Sequence, residues 1–177
     1  SEGAHLIINT DPHEIQQSMR ETHPTCMSSV PRFWEKVYQA VKDKIDRSSA
    51  MKQSLFRHAL EVGRRYNIDC KSRCKRPSPL LAMEYKLMDK MVLRLVRKQI
   101  GLENAHLFPT AGATVSPAVE RFTHSVGINM IVGYGLTESL ATVSCDREDM
   151  PYTIGSVGRP INGLEVKIDE NDEILLK

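Results

Sequence analysis

Between residues 105 and 132 the chain alternates a short apolar run, a helical stretch and a second apolar run. Ala105 to Pro109 reads as a strand. Ser116-Pro117 predicts a helix start running through about Val126, with serine as the cap and proline in the first turn. Ile128 to Val132 reads as another strand, ending at Gly133. Strand, helix, strand with short links is the signature of a βαβ unit, so a parallel sheet is expected. The expected fold class is α/β: a parallel βαβ sheet flanked by helices.

The flanking segments fit that class. Leu6 to Ile8 reads as a buried strand, and Thr10-Asp-Pro12 as the start signal of a helix over about Glu14 to Glu21. Thr25 to Val30 is strand-like. From Pro31 onward, Phe33, Trp34, Val37, Val41 and Ile45 recur at helical spacing with charged residues between them. A further helix is predicted from Met51 to Tyr66, then a polar, basic loop from Asn67 to Pro79. Leu80 to Ile100 reads as one long helix stopped by Gly101. Its apolar face would be Leu81, Met88, Val92 and Leu95, with Lys86, Lys90, Arg94 and Arg97 opposite. Beyond Pro151 the texture changes. Gly163 to Asp169 and Glu173 to Leu176 predict an antiparallel hairpin turning at Glu170-Asn171-Asp172. Two regions are therefore expected: residues 1–150, an α/β unit, and residues 151–177, the start of a small antiparallel β region. The stop directly after an apolar run suggests an excised fragment.

Composition sets limits. With 177 residues, 41% hydrophobic and 26% charged, the chain has enough material for an ordinary domain core. No apolar run approaches the roughly 20 residues of a membrane span, and no signal-peptide pattern is present. A net charge of +2 gives no global argument for nucleic acid. One stretch is biased: Arg64 to Lys98 holds eleven basic and three acidic residues, a local net of +8. A solvated charged face is the plain reading, and a contact with anionic lipid the alternative. The four cysteines, Cys26, Cys70, Cys74 and Cys145, suggest neither a disulfide framework nor a complete zinc site. Free thiols in a reducing cytoplasm are expected.

Three motifs carry chemistry. Gly133-Tyr-Gly-Leu-Thr-Glu-Ser139 follows an apolar strand, and ligands of parallel sheets bind outside the carboxyl ends of the strands. Gly133 and Gly135 allow a sharp turn and close approach to a ligand. Tyr134 offers a flat face, Thr137 a hydroxyl and Glu138 a hard carboxylate suited to Mg²⁺. A plain turn with capping residues also explains this spacing. Thr110-Ala-Gly-Ala-Thr-Val-Ser-Pro117 joins a strand end to a helix start, where free N–H groups favour an anion. Ile154-Gly-Ser-Val-Gly-Arg-Pro-Ile-Asn-Gly163 reads as a shaped loop before a strand.

Together, and in this order, the motifs resemble the adenylate-forming superfamily of acyl-CoA ligases, luciferases and peptide-synthetase adenylation domains. Asp172-Glu-Ile-Leu175 matches the superfamily's strand after the Gly-Ser-Val-Gly-Arg-Pro stretch. Val30-Pro-Arg-Phe-Trp-Glu-Lys-Val-Tyr38 narrows the likeness to long-chain fatty-acyl-CoA ligases. The resemblance runs from about Ile8 to Lys177. It implies that Tyr134 stacks on adenine, that Gly112 and Ala113 lie along the ring or the acyl-adenylate, that Thr137 contacts the α-phosphate and that Glu138 binds Mg²⁺. It places Trp34 in the segment lining or gating the acyl tunnel, although an aromatic at helical spacing is more often core. Ala111 stands where relatives often have glycine, which matters if that position needs a positive φ.

The implied reaction joins a fatty acid to CoA with ATP, Mg²⁺ and a bound acyl-adenylate. Several parts it needs are missing: a phosphate loop with its lysine, an upstream histidine motif, a ribose-binding aspartate and a small C-terminal domain with its catalytic lysine. The isolated chain is therefore expected to make no acyl-CoA. Competing expectations are another acid-activating ligase, and a non-enzymatic binder of anionic surfaces built on Arg64 to Lys98. Localisation is expected to be cytoplasmic or peripheral at a membrane. Oligomeric state stays open.

Overall fold

The computed structural model describes residues 3, 5–9, 11, 14–104, 106–139, 141–147 and 150–177. Thr10 and Pro12, the expected helix-start signal, and Ala105, the expected first residue of a strand, lie outside them.

A four-stranded sheet carries the architecture, in the order β1 (Phe108–Thr110), β2 (Met130–Leu136), β3 (Ala141–Cys145), β4 (Arg159–Pro160). The β1–β2 pair is parallel, with Phe108 opposite Met130 and Thr110 opposite Val132. Helix α6 (Pro117–Ser125) is the crossover, which completes the expected βαβ unit. Pro117 sits at its first position, but the Ser116 side chain makes no capping bond, contrary to expectation. β3 runs antiparallel to both β2 and β4, so the sheet is mixed. The segment Thr25 to Val30 forms no continuous strand. It touches β1 through two isolated parallel bridges, Cys26 to Leu107 and Ser29 to Thr110.

The helices preceding the sheet are α1 (Ile15–Thr22), α2 (Pro31–Asp46), α3 (Ala50–Gly63), α4 (Pro79–Met88) and α5 (Arg94–Ile100). Pro31 at the first position of α2 supplies a preset φ, and Val30 before it is extended, as the residue before a proline must be. Helix α6 contacts β2 as well as α2 and α3. Its Val119 and Phe122 join Trp34, Phe56, Ala59, Val62, Phe108 and Met130 in one hydrophobic core.

Three further expectations are corrected. Leu6, Ile7 and Ile8 form no strand and are exposed, Leu6 to 86%; an apolar run without a neighbouring strand has nothing to bury it. Asn67 to Pro79 is not all loop. A π-helical turn extends α3 over Arg64–Cys70, and a short 3₁₀ turn follows over Lys71–Arg73. Asn67 is buried there because its amide donates to the Tyr85 hydroxyl at 3.2 Å, satisfying a polar group the sequence left to solvent. The long helix exists, but a π turn over Asp89–Leu93 joins α4 to α5. An i→i+5 turn inserts a residue and rotates everything after it. Leu95 consequently faces outward, and Arg97 turns inward to Asp89 at 2.8 Å and to the Val126 carbonyl at 2.6 Å.

The C-terminal hairpin matches expectation. β5 (Val166–Ile168) pairs antiparallel with β6 (Ile174–Leu176). One carboxylate oxygen of Asp169 accepts the backbone N–H groups of Asn171 at 2.8 Å and Glu173 at 2.9 Å. These bonds hold the Asp169 carboxyl below its ordinary range.

Candidate functional site

The parallel register of β1 and β2 decides where the motifs go. Thr110, the last residue of β1, lies opposite Val132, so Gly133 and Tyr134 begin where β1 ends. The loop Thr110 to Pro117 and the segment Gly133 to Glu138 therefore meet at one edge of the sheet. β2 continues past that edge by pairing with β3, with a register irregularity between Tyr134 and Gly135. Tyr134 is half-buried, whereas Gly135, Thr137 and Glu138 are exposed. A 3₁₀ turn over Thr137–Ser139 follows, closed by the Ser139 hydroxyl, which donates to the Leu136 carbonyl at 2.9 Å.

The first loop is exposed from Ala111 to Thr114. Its left-handed residue is Gly112, with φ of 93° and open space where a Cβ would stand. Ala111 does not have a positive φ, so alanine is tolerated there without strain. The loop is tied down from below. Trp34 is fully buried, and its indole N–H donates to the Ser29 hydroxyl at 2.7 Å and the Thr110 hydroxyl at 3.0 Å. Its ring stands edge-on to Phe33 and Phe108. The core alternative for this aromatic is thus the placement observed. Trp34 fixes the end of β1 from inside, and periodicity did not reveal that polar role.

The third motif braces the same strands. Arg159 and Pro160 pair with Cys145 and Ser144 of β3. The Ser144 hydroxyl donates to the Val157 carbonyl at 2.9 Å. Gly158 has φ of 78°, and a Cβ on it would lie 2.0 Å from the Cys145 carbonyl carbon, so only glycine fits.

A second group of polar residues escaped the sequence reading. Glu120 of α6 is 1% exposed and accepts the Gly155 N–H at 2.8 Å. Burial pushes its carboxyl up to about 7, with the neighbouring Asp146 charge adding to the rise and the Gly155 bond opposing it. Burial likewise raises Asp146 to about 6 and lowers His124 to about 4. The Tyr152 hydroxyl lies 3.2 Å from His124 Nδ1, and burial raises its phenol too. Among the described residues, the His124 Nε2 and Asp146 Oδ2 atoms have no hydrogen-bond partner. Both residues line a cavity of about 570 Å³ beside Gly127 to Ile131, at the opposite end of β2 from Tyr134. Nothing in the spacing of Glu120, His124, Asp146 and Tyr152 signals that they converge.

At the motif edge, no hydrogen bond or ion pair engages the Glu138 carboxylate among the described residues. One exposed carboxylate beside a threonine hydroxyl fits Mg²⁺, which takes one or two protein carboxylates and completes its shell with phosphate oxygens and water.

A family model described as AMP-binding enzyme matches residues 1–175. The chain is similar to the long-chain-fatty-acid–CoA ligase ACSBG2 of Rattus norvegicus, 32% identical over 148 residues, covering 82% of this chain and 21% of that protein. It is also similar to the long-chain-fatty-acid–CoA ligase FadD15 of Mycobacterium bovis, 29% identical over 156 residues, covering 87% of this chain and 25% of that protein. Among solved structures, a benzoate CoA ligase from Burkholderia xenovorans LB400 aligns with 92% of this chain and 22% of its own length, at 19% identity and a TM-score of 0.47. The chain spans about a fifth to a quarter of the length of these curated relatives.

Proposed function

The chain belongs to the AMP-binding enzyme family, and on that premise we propose that it is part of a ligase that activates a long-chain fatty acid with ATP and passes the acyl group to CoA. One observation carries the reading: the parallel pairing of β1 and β2 brings the Thr110 to Pro117 loop and Tyr134 to Glu138 to one sheet edge. Val30-Pro-Arg32 and the long-chain ligases among the relatives favour a fatty acid over other acids. Residues 1–150 then belong to the large N-terminal domain, and residues 151–177 begin its β-rich subdomain.

In the proposed reaction the fatty-acid carboxylate attacks the α-phosphorus of ATP, and pyrophosphate leaves. The CoA thiolate then attacks the acyl carbonyl, and AMP leaves. The work of the protein is positioning and charge neutralisation. Tyr134 offers its ring to adenine, and Gly112 and Ala113 let the backbone approach the nucleotide. The Thr137 hydroxyl donates to an α-phosphate oxygen, and Glu138 holds Mg²⁺. When bound, that ion neutralises phosphate charge. Trp34 acts from beneath, keeping Thr110 in place.

The test is pyrophosphate release by the full-length protein with ATP and either palmitate or benzoate. Release with palmitate that falls sharply on Tyr134→Ala is the expected result. Release with benzoate alone would move the protein to another acid. The isolated 177-residue chain is predicted to form no acyl-CoA, because the remaining phosphate and carboxylate contacts must come from elsewhere.

A further inference from the structure

Among the described residues, the long helix from Pro79 to Ile100 is held on one side. Leu81, Met88 and Leu93 are buried, the Tyr85 ring stacks on Tyr66 at 4.0 Å, and Arg97 is bound to Asp89 and Val126. These contacts set which residues face out. They are Leu80, Met83, Leu87, Met91 and Leu95, exposed between 48% and 75%, interleaved with exposed Lys86, Lys90, Arg94 and Lys98.

The π turn at Asp89–Leu93 keeps this outward row in register by rotating Leu95 into it and Arg97 out of it. The two acidic residues of the helix are both engaged elsewhere. Glu84 pairs with His58 and Arg65, and Asp89 pairs with Arg97. The outward face therefore presents apolar and cationic side chains, and its one partly exposed carboxylate, Glu84, is neutralised by His58 and Arg65. Lys71, Arg73, Lys75 and Arg76, all exposed, extend the positive charge before the helix begins.

We propose that this face lies on an anionic lipid bilayer, with the Leu80–Leu95 row in the boundary between headgroups and acyl chains and the lysines and arginine on the lipid phosphates. A row of apolar side chains bordered by Lys and Arg matches a helix held in the plane of the interface. A nucleic acid would use the charges but would leave five large apolar side chains against water or phosphate. A plain solvated face would not carry that row. The Arg64 to Lys98 charge bias, ambiguous in sequence, thus gains a specific surface, and the inference does not depend on the nucleotide chemistry.

The experiment is co-sedimentation of the full-length protein with phosphatidylcholine vesicles, with and without about 30 mol% phosphatidylserine, a level that makes the surface negative. Binding to the anionic vesicles is expected. Leu87→Glu with Met91→Glu should weaken it on the order of tenfold by removing the apolar insertion. Lys86→Gln, Lys90→Gln and Arg94→Gln together should weaken it by a similar factor and reduce its salt sensitivity. Pyrophosphate release from ATP with a water-soluble acid should survive both variants. Failure to bind, or binding indifferent to both variants, overturns the proposal. So does loss of the soluble activity or of the native oligomeric state on Leu87→Glu, which would assign the row to another part of the same chain or to a second copy. Retention on duplex DNA in place of vesicles would overturn it as well.

Discussion

The two ends of β2 are opposites. At its carboxyl end, Thr137 and Glu138 stand in solvent on a short turn, beside a loop whose residues Ala111 to Thr114 are also exposed. At its amino end, His124 and Asp146 are buried beside a cavity; they and Glu120, buried in the first turn of α6, titrate far from their ordinary values. A reader looking only for perturbed acids and a cavity would choose the amino end. On the proposed reading, the nucleotide chemistry lies at the other. Desolvation alone perturbs a buried carboxyl, whereas a phosphate site needs donors and a carboxylate left open to the ligand. The buried cluster is better understood as the brace behind the motif edge, since Glu120 holds the Gly155 loop that leads into β4.

That contrast can be broken by substitutions. The largest effect is expected at Trp34, whose removal empties a fully buried site and leaves Ser29 and Thr110 without their donor. Trp34→Ala should cost about 3–5 kcal/mol in urea unfolding. Gly158→Ala comes next. It forces a side chain into the backbone of Cys145 at positive φ, and about 2–4 kcal/mol should be lost. A cost below the usual surface range at either position would show that the brace and the motif edge are not mechanically joined.

Glu120 sharpens the comparison through pH. Its folded carboxyl is raised from 4.5 to about 7, so the folded chain keeps a proton that the unfolded chain has released. The stabilisation from this group is complete below pH 4.5 and is lost as pH rises through about 7. His124 runs the other way, contributing above pH 6.5 and losing its contribution as pH falls towards about 4. Glu120→Gln keeps an oxygen for the Gly155 N–H and removes only the first effect. The variant should gain at least about 1 kcal/mol over the parent at pH 8 by thermal unfolding, and the gain should vanish near pH 4. A gap independent of pH would mean that Glu120 is not held protonated. The smallest effect on folding is expected at Glu138, an exposed residue whose change to glutamine should move stability by less than about 0.5 kcal/mol.

Legibility in the sequence divides along the same line. Pro117 and the apolar runs around it are enough to place α6 and the parallel pair, because a first-turn proline and periodicity are local signals, although the Ser116 cap beside it does not form. The hairpin at Asp169 to Asp172 was readable for the same reason. The π turns at Arg64–Cys70 and Asp89–Leu93 were not, since they follow from packing against α6 and its neighbours. Leu6 to Ile8 misled because an apolar run reports a wish for burial, not the presence of a partner. At the candidate site, Gly112, Tyr134, Thr137 and Glu138 were visible as a motif. The Trp34 bonds to Ser29 and Thr110, and the meeting of Glu120 with Gly155, depend on tertiary proximity that no spacing encodes.

In the proposed function the exposed edge, not the buried cluster, does the chemistry. The most direct test is the Mg²⁺ dependence of pyrophosphate release from ATP and palmitate by the full-length protein carrying Glu138→Gln. Turnover is expected to fall by a factor on the order of 10², with a higher Mg²⁺ requirement and an unchanged unfolding midpoint. Turnover equal to that of the parent at every Mg²⁺ concentration would contradict it.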